Sequence, residues 1–128
     1  MPMTARGEGF VPGRHAIDAV GQGGFRFADM SHRGSILILP SGIHAWPISS
    51  VSDLTATSFQ DLFAEAQDID FVLIGTGEKI HRLAEPLLWR FREYQFQFDM
   101  MATLAAARTY NVLVAEHRRV AAAMIALP

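Results

Sequence analysis

The residue types that could do chemistry are concentrated in two short stretches, 75–79 and 108–111. The first reads Gly-Thr-Gly-Glu-Lys and directly follows the apolar run 71–74. Glycines at the end of a strand let backbone N–H groups approach an anion, and a helix N-terminus favours negative charge. The stretch matches neither G-x-G-x-x-G nor a P-loop, because no Gly-Lys-Ser/Thr follows. It is therefore interpreted either as a tight strand-to-helix turn or as a ligand site. The candidate ligand residues of this stretch are Gly75, Thr76 and Gly77.

The second stretch, Arg108-Thr109-Tyr110-Asn111, places polar groups in a helix that is otherwise rich in Ala and Val. Asparagine disfavours helix interiors because its side chain competes for backbone hydrogen bonds, so its presence indicates a specific partner. One interpretation is a structural clamp on the backbone of a neighbouring loop. The other is a substrate-binding face, in which Arg and Asn join the glycine turn around an anionic or amide-bearing ligand.

Established catalytic and metal-binding patterns are missing from the sequence. The five histidines show no metal-ligand spacing, the chain has no cysteine, and no G-x-S-x-G elbow is present. His81 lies just after the glycine turn and is interpreted either as a solvated loop residue or as an acid or base beside a ligand. The sequence therefore predicts no metal and no cofactor, leaves catalytic residues unknown, and favours a protein that is not an enzyme without deciding the question.

Length and composition further limit which class of protein this is. The 128 residues, half of them apolar, suit one domain with a compact core. A net charge of −2 gives no reason to expect a nucleic-acid partner. No window approaches the ~20 apolar residues that a membrane-spanning helix needs, and no signal peptide is recognised. We expect a cytoplasmic, soluble protein; peripheral membrane association and a homodimer through an exposed edge strand are left open.

Residue patterns predict an α/β fold in which short strands come first and helices alternate with strands afterwards. The segment 1–14, rich in Gly and Pro, is predicted to be a flexible lead-in, and 15–128 a single domain. Segments 71–74 and 96–98 are predicted to be parallel neighbours, because a helix connects them. Predicted strands are 15–20, 25–27, 35–39, 43–46, 69–74 and 95–98, with a polar turn at 30–34. The segment 120–127 is ambiguous, because its four alanines favour a helix by propensity, and a closing strand is chosen for it. Predicted helices are 59–67, 84–94 and one from Thr103, taken as its N-cap, to about 116.

Four blocks of residues resemble a small α/β family. They are 71–77, 99–103, 106–113 and 116–123. Its bacterial and archaeal members are largely uncharacterised, and its eukaryotic relatives include a mitochondrial assembly factor for respiratory complex I and an adipogenesis-associated protein. The resemblance implies a three-layer domain: a mixed central sheet, flanking helices and an added β-hairpin layer. It supports a strand at 120–127, and it implies no catalytic residues. The motif positions that carry over are Gly75, Thr76, Gly77, Thr103, Arg108, Thr109, Tyr110 and Asn111.

Two departures from the family pattern stand out. His117 replaces a usual glycine, and Gln95-Phe96 replaces a more usual Gly-Ile. If position 117 needs a positive φ, histidine is less comfortable there than glycine.

Two functions follow. The preferred one is a non-catalytic assembly or interaction protein, with respiratory-complex subunits as partners, as the resemblance implies. The alternative is a small-molecule-binding protein or enzyme with its site between the Gly75-Thr76-Gly77 turn and the Arg108–Asn111 helix face.

Overall fold

A six-stranded mixed sheet forms the centre of the protein in a computed structural model that describes residues 10–128. Its strand order is β1-β6-β5-β9-β7-β8. Strands β7, β8 and β9 run parallel to one another, and β5, β6 and β1 continue the sheet in antiparallel pairs. The bounds are β1 Phe10–Pro12, β5 Ser35–Leu39, β6 Gly42–Trp46, β7 Phe71–Gly75, β8 Gln97–Met101 and β9 Val120–Met124.

The three central strands, β5, β9 and β7, are buried on both faces, which explains their nearly continuous apolar runs. Alternate side chains enter two different core clusters. Val72 and Ile74 of β7 pack on one face of the sheet, and Leu73 packs on the other.

Helices and a small second sheet cover the two faces of the central sheet. Helices α1 (Gln60–Ala64) and α2 (Glu85–Arg92) cover one face, where Phe59, Phe63 and Phe91 form an aromatic cluster. Helix α3 (Thr103–Ala115) covers the other face together with a separate antiparallel sheet of order β2-β3-β4. That small sheet comprises β2 Ala19–Gly21, β3 Gly24–Phe27 and β4 Met30–Arg33. The predicted fold class, with its added hairpin layer, is confirmed.

The lead-in prediction needs a correction at its C-terminal end. Residues 10–12 form the edge strand β1, in which Val11 is the partner of Ile43 in β6. Arg14 also donates to the carbonyl of Arg118 at 2.6 Å. The sheet therefore begins before residue 15, and residues 1–9 lie outside the described part of the chain.

Several element boundaries also differ from the sequence prediction. Residues 30–33, expected to be a turn, form strand β4, and the first helix is reduced to 60–64 between short 3-10 turns. Strand β8 lies two residues further along than predicted, because its register is set by parallel pairing with β7. The strand predicted at 120–127 is confirmed over residues 120–124, and the parallel pairing of β7 with β8 is confirmed.

Helix α3 ends in a left-handed residue, His117, with φ of 60°. His117 N–H donates to the Val114 carbonyl and Arg118 N–H to the Leu113 carbonyl, both at 3.0 Å. This pair of bonds is a Schellman motif, which places its left-handed residue where glycine is favoured. The position that departs from the family pattern therefore does require a positive φ.

Candidate functional site

Two threonine hydroxyls hold the Gly75-Thr76-Gly77 turn against the start of α3. Thr103 Oγ1 accepts from the Gly77 N–H at 2.9 Å and donates to the Ile125 carbonyl at 2.7 Å. Thr76 Oγ1 donates to the Lys79 carbonyl at 2.7 Å and accepts from the His81 N–H at 3.0 Å. Both threonines are buried. The turn, the helix start and the segment after β9 are thus joined by one hydrogen-bonded network.

This network leaves few backbone donors at the turn for a ligand. The Thr76 N–H donates to the Met101 carbonyl at 2.8 Å, and the Gly77 N–H is taken by Thr103. An anion cradle needs free N–H groups pointing outward, and these two point inward. The interpretation of 75–77 as a tight structural turn is favoured by this arrangement.

Gly75 is required here by close packing rather than by its φ. A Cβ at this position would lie 3.0 Å from both Cα and Oγ1 of Thr103 and 3.2 Å from Cγ of Met124. The absence of a side chain therefore lets α3 approach the end of β7.

A cavity of about 440 Å³ lies beside the turn, at the carboxyl ends of the parallel strands β7 and β9. Thr76, Gly77 and His81 line it from one side, and the serine-rich segment 49–52 lines it from another. Ligands in open α/β sheets favour this end of the strands. The predicted turn and the predicted His81 therefore do meet at a concave surface, together with the serine-rich segment 49–52, for which no role was predicted.

Asn111 acts on a different part of the molecule. Its Oδ1 accepts from the Ile17 N–H and its Nδ2 donates to the Ile17 carbonyl, both at 2.8 Å. The neighbouring Tyr110 hydroxyl donates to the His15 carbonyl at 3.2 Å. The second polar stretch therefore clamps the segment that leads into β2, which is the structural interpretation of its asparagine.

The other two residues of that stretch make few contacts. Thr109 Oγ1 approaches Met101 Sδ at 3.7 Å, and Arg108 is exposed. None of the residues 108–111 lines the cavity beside the turn or the larger concavity of about 820 Å³ on the β2-β3-β4 layer. Thr103 connects α3 to the turn through its bonds to Gly77, whereas residues 108–111 share neither of these two cavities with the turn.

Burial changes the pKa of one side chain on α3 and of one on the small sheet. Burial raises the pKa of Tyr110 to about 12. Burial also lowers the pKa of His32, on the β2-β3-β4 layer. In residues 10–128 no group of three or more His, Asp or Glu side chains is placed to hold a metal ion. Across the same residues, no helix combines the length and apolarity needed to cross a membrane.

The fold and these contacts define a small α/β domain. The side chains of Thr76, Thr103 and Asn111 form hydrogen bonds to backbone groups in other segments of the same domain. The chain belongs to the family described as "Protein of unknown function (DUF498/DUF598)", which matches residues 17–125. The predicted family is confirmed, including its complex I assembly relatives; the kinship with an adipogenesis-associated protein stays a prediction.

Two kinds of relative carry the comparison. An uncharacterised protein of Rhodobacter capsulatus is 37% identical over 98% of this chain and 95% of its own length. The human protein named NADH dehydrogenase (ubiquinone) 1 alpha subcomplex assembly factor 3 is 30% identical over 88% of this chain. This chain spans only 61% of the human protein's length.

Solved structures agree with the fold. The crystal structure described as that of an outer membrane protein from Bartonella henselae has a TM-score of 0.87 and 47% identity, covering 91% of this chain and 98% of its own. The NMR structure of a Rhodopseudomonas palustris protein has a TM-score of 0.79 and 42% identity, covering 88% of this chain and 84% of its own.

Proposed function

We propose that this protein is a non-catalytic assembly or interaction protein that acts on subunits of a respiratory NADH:ubiquinone oxidoreductase. The observation that carries the proposal is the 30% identity to complex I assembly factors, which extends over 88% of the chain. Assembly factors bind clients through surfaces, and they need no catalytic constellation.

The hydrogen-bond partners of the motif residues are consistent with that role. Thr76, Thr103 and Asn111 spend their polar atoms on backbone groups of this chain. Polar groups that stabilise the fold contribute to function by holding a surface in place. These three residues thus need no substrate to satisfy their polar atoms, and in this proposal client binding is assigned to exposed residues.

A deletion strain tests the proposal. We expect native gels of its membranes to show less mature NADH:ubiquinone oxidoreductase and more of its subassemblies, with NADH-dependent respiration reduced. Succinate dehydrogenase activity in the same membranes is the control, and plasmid-borne wild-type protein should restore the loss. Unchanged enzyme levels and unchanged subassemblies in the deletion strain would contradict an assembly role.

A second candidate function is small-molecule binding in the cavity beside the turn. It is favoured by the position of the cavity at the carboxyl ends of β7 and β9 and by the polar groups that line it, including His81 and Ser50. A thermal-shift screen of the purified protein against anionic and amide-bearing metabolites tests it. A real ligand raises the melting temperature of the wild type and of His117→Ala, which lies away from the cavity, but not that of His81→Ala. A screen in which no compound separates His81→Ala from the other two proteins contradicts this candidate.

A further inference from the structure

The outer face of α3 is unusually poor in charge for a surface helix. Its 13 residues contain one charged side chain, Arg108. Two large apolar side chains, Leu104 and Val112, are 42% and 57% exposed. Surface helices normally carry several charged residues opposite their buried side. Helix α2 follows that pattern, since Glu85, Arg90 and Arg92 occur within its eight residues.

These three residues form one line along the helix, here called the α3 stripe: Leu104, Arg108 and Val112. Residues four apart lie on the same side of an α-helix, so the apolar ends of the stripe are about 12 Å apart. Arg108 lies midway between them. Its guanidinium makes none of the three ion pairs found in residues 10–128, which join Arg82, Arg90 and Arg119 to acidic groups.

We propose that the α3 stripe binds an apolar helix of another protein that carries one Asp or Glu opposite Arg108. The proposal rests on the proposed function as an interaction protein and names the surface used. Covering Leu104 and Val112 would also remove water from Arg108. A guanidinium without water requires an anionic partner, and a carboxylate can accept two parallel hydrogen bonds from it.

A second copy of this chain fits the stripe poorly. In a two-fold symmetric contact the same patch lies on both sides. Because Arg108 is at the centre of the stripe, an antiparallel pair of α3 helices would place Arg108 against Arg108. A parallel pair would put the two arginines at the same height. Either arrangement brings like charges together as water is removed, which opposes binding.

Photocrosslinking in cells tests the surface and the occupant together. The crosslinker p-benzoylphenylalanine replaces Leu104 or Val112, and the matched control replaces Trp89, which is 64% exposed on α2. Crosslinked peptides are identified by mass spectrometry. We expect both stripe positions to capture the same segment of one other protein, with apolar residues four apart around an acidic one, and position 89 not to capture it.

Charge exchange then tests the role of Arg108. Arg108→Glu should lower the crosslink yield at least about fivefold, as expected for a desolvated charge pair. Replacing the captured acidic residue by Arg in the same strain should restore the yield. Since the three stripe residues are exposed, the melting temperatures of these variants should stay near that of the wild type.

Several outcomes would overturn the inference. They are crosslinks between copies of this chain, capture of a segment without an acidic residue, equal capture from position 89, no capture at either stripe position, and a yield that Arg108→Glu leaves unchanged. Failure of the proposed function would look different. A captured partner outside the respiratory complex, with the acidic apolar segment, supports the stripe and contradicts the assembly role. An assembly defect in the deletion strain, with no crosslinks from the α3 stripe, supports the assembly role and contradicts the stripe.

Discussion

Replacing Asn111 by Ala is expected to destabilise the fold and to leave client binding unchanged once the protein is folded. The side chain makes two 2.8 Å hydrogen bonds to the backbone of Ile17. Ile17 is only 5% exposed, so water has little access to its N–H and carbonyl groups after the substitution. The clamp is therefore a stability element that joins α3 to the segment before β2.

The size of the effect follows from the two backbone groups that lose their partners. Each buried group left without a hydrogen bond costs about 1–3 kcal/mol. Alanine recovers about 0.5 kcal/mol through its better helix propensity. The free energy of unfolding should fall by about 1.5–5.5 kcal/mol. That is a large part of the roughly 6–19 kcal/mol expected for a chain of this length.

Urea unfolding followed by circular dichroism measures this loss. Thr109→Ala is the matched control on the same helix, because its only described contact is the 3.7 Å approach to Met101 Sδ. We expect the control to stay within about 1 kcal/mol of the wild type. Asn111→Asp keeps the acceptor for the Ile17 N–H but loses the donor, so it should be destabilised at neutral pH and recover as the carboxyl group protonates. An Asn111→Ala protein within about 0.5 kcal/mol of the wild type would refute the clamp.

Three further predictions concern single residues. Gly75→Ala should lower stability by about 1–3 kcal/mol in urea titrations, because its Cβ would lie 3.0 Å from Thr103 backbone, whereas a tolerated alanine would show that α3 can shift. His117→Gly should raise stability by about 0.5–1 kcal/mol, seen as a higher melting temperature, since φ is 60° there; His117→Ala, the control, should gain nothing. Burial raises the pKa of Tyr110 to about 12, so the stability that this residue contributes is complete below about pH 10 and declines as pH rises towards 12. Alkaline urea titrations should show that decline to be smaller in Tyr110→Phe, and equal slopes in the two proteins would contradict it.

The central strands could be predicted because a strand that is buried on both faces has a continuous run of apolar residues in the sequence. The run 71–74 is such a case. Strand β9 was harder, because its alanines favour a helix by intrinsic propensity. In the fold it lies between β5 and β7, where tertiary pairing overrides that propensity. Strand β4 was missed because it is polar, with only alternate side chains partly buried at the edge of the small sheet.

The polar residues of the candidate site could be predicted from the sequence, but their hydrogen-bond partners could not. Asparagine inside a helix correctly indicated a specific partner, yet that partner, Ile17, is 94 residues away in sequence. Thr103 was expected to cap its own helix; Ala102 occupies the N-cap, and the Thr103 hydroxyl binds Ile125 and Gly77 instead. Such long-range bonds leave no local pattern, so the sequence could not show that Asn111 bonds to Ile17 while Thr103 bonds to the turn.

The position of β9 sets an order for folding. This strand follows every other strand in the chain, yet it separates β5 from β7 in the finished sheet. Until residues 120–124 have left the ribosome, the two halves of the sheet cannot be hydrogen-bonded to each other, and two highly apolar strand edges stay open. Long-range pairing of this kind slows folding and exposes edges to aggregation. We therefore expect β5 and β7 to expose these edges until β9 pairs with both of them.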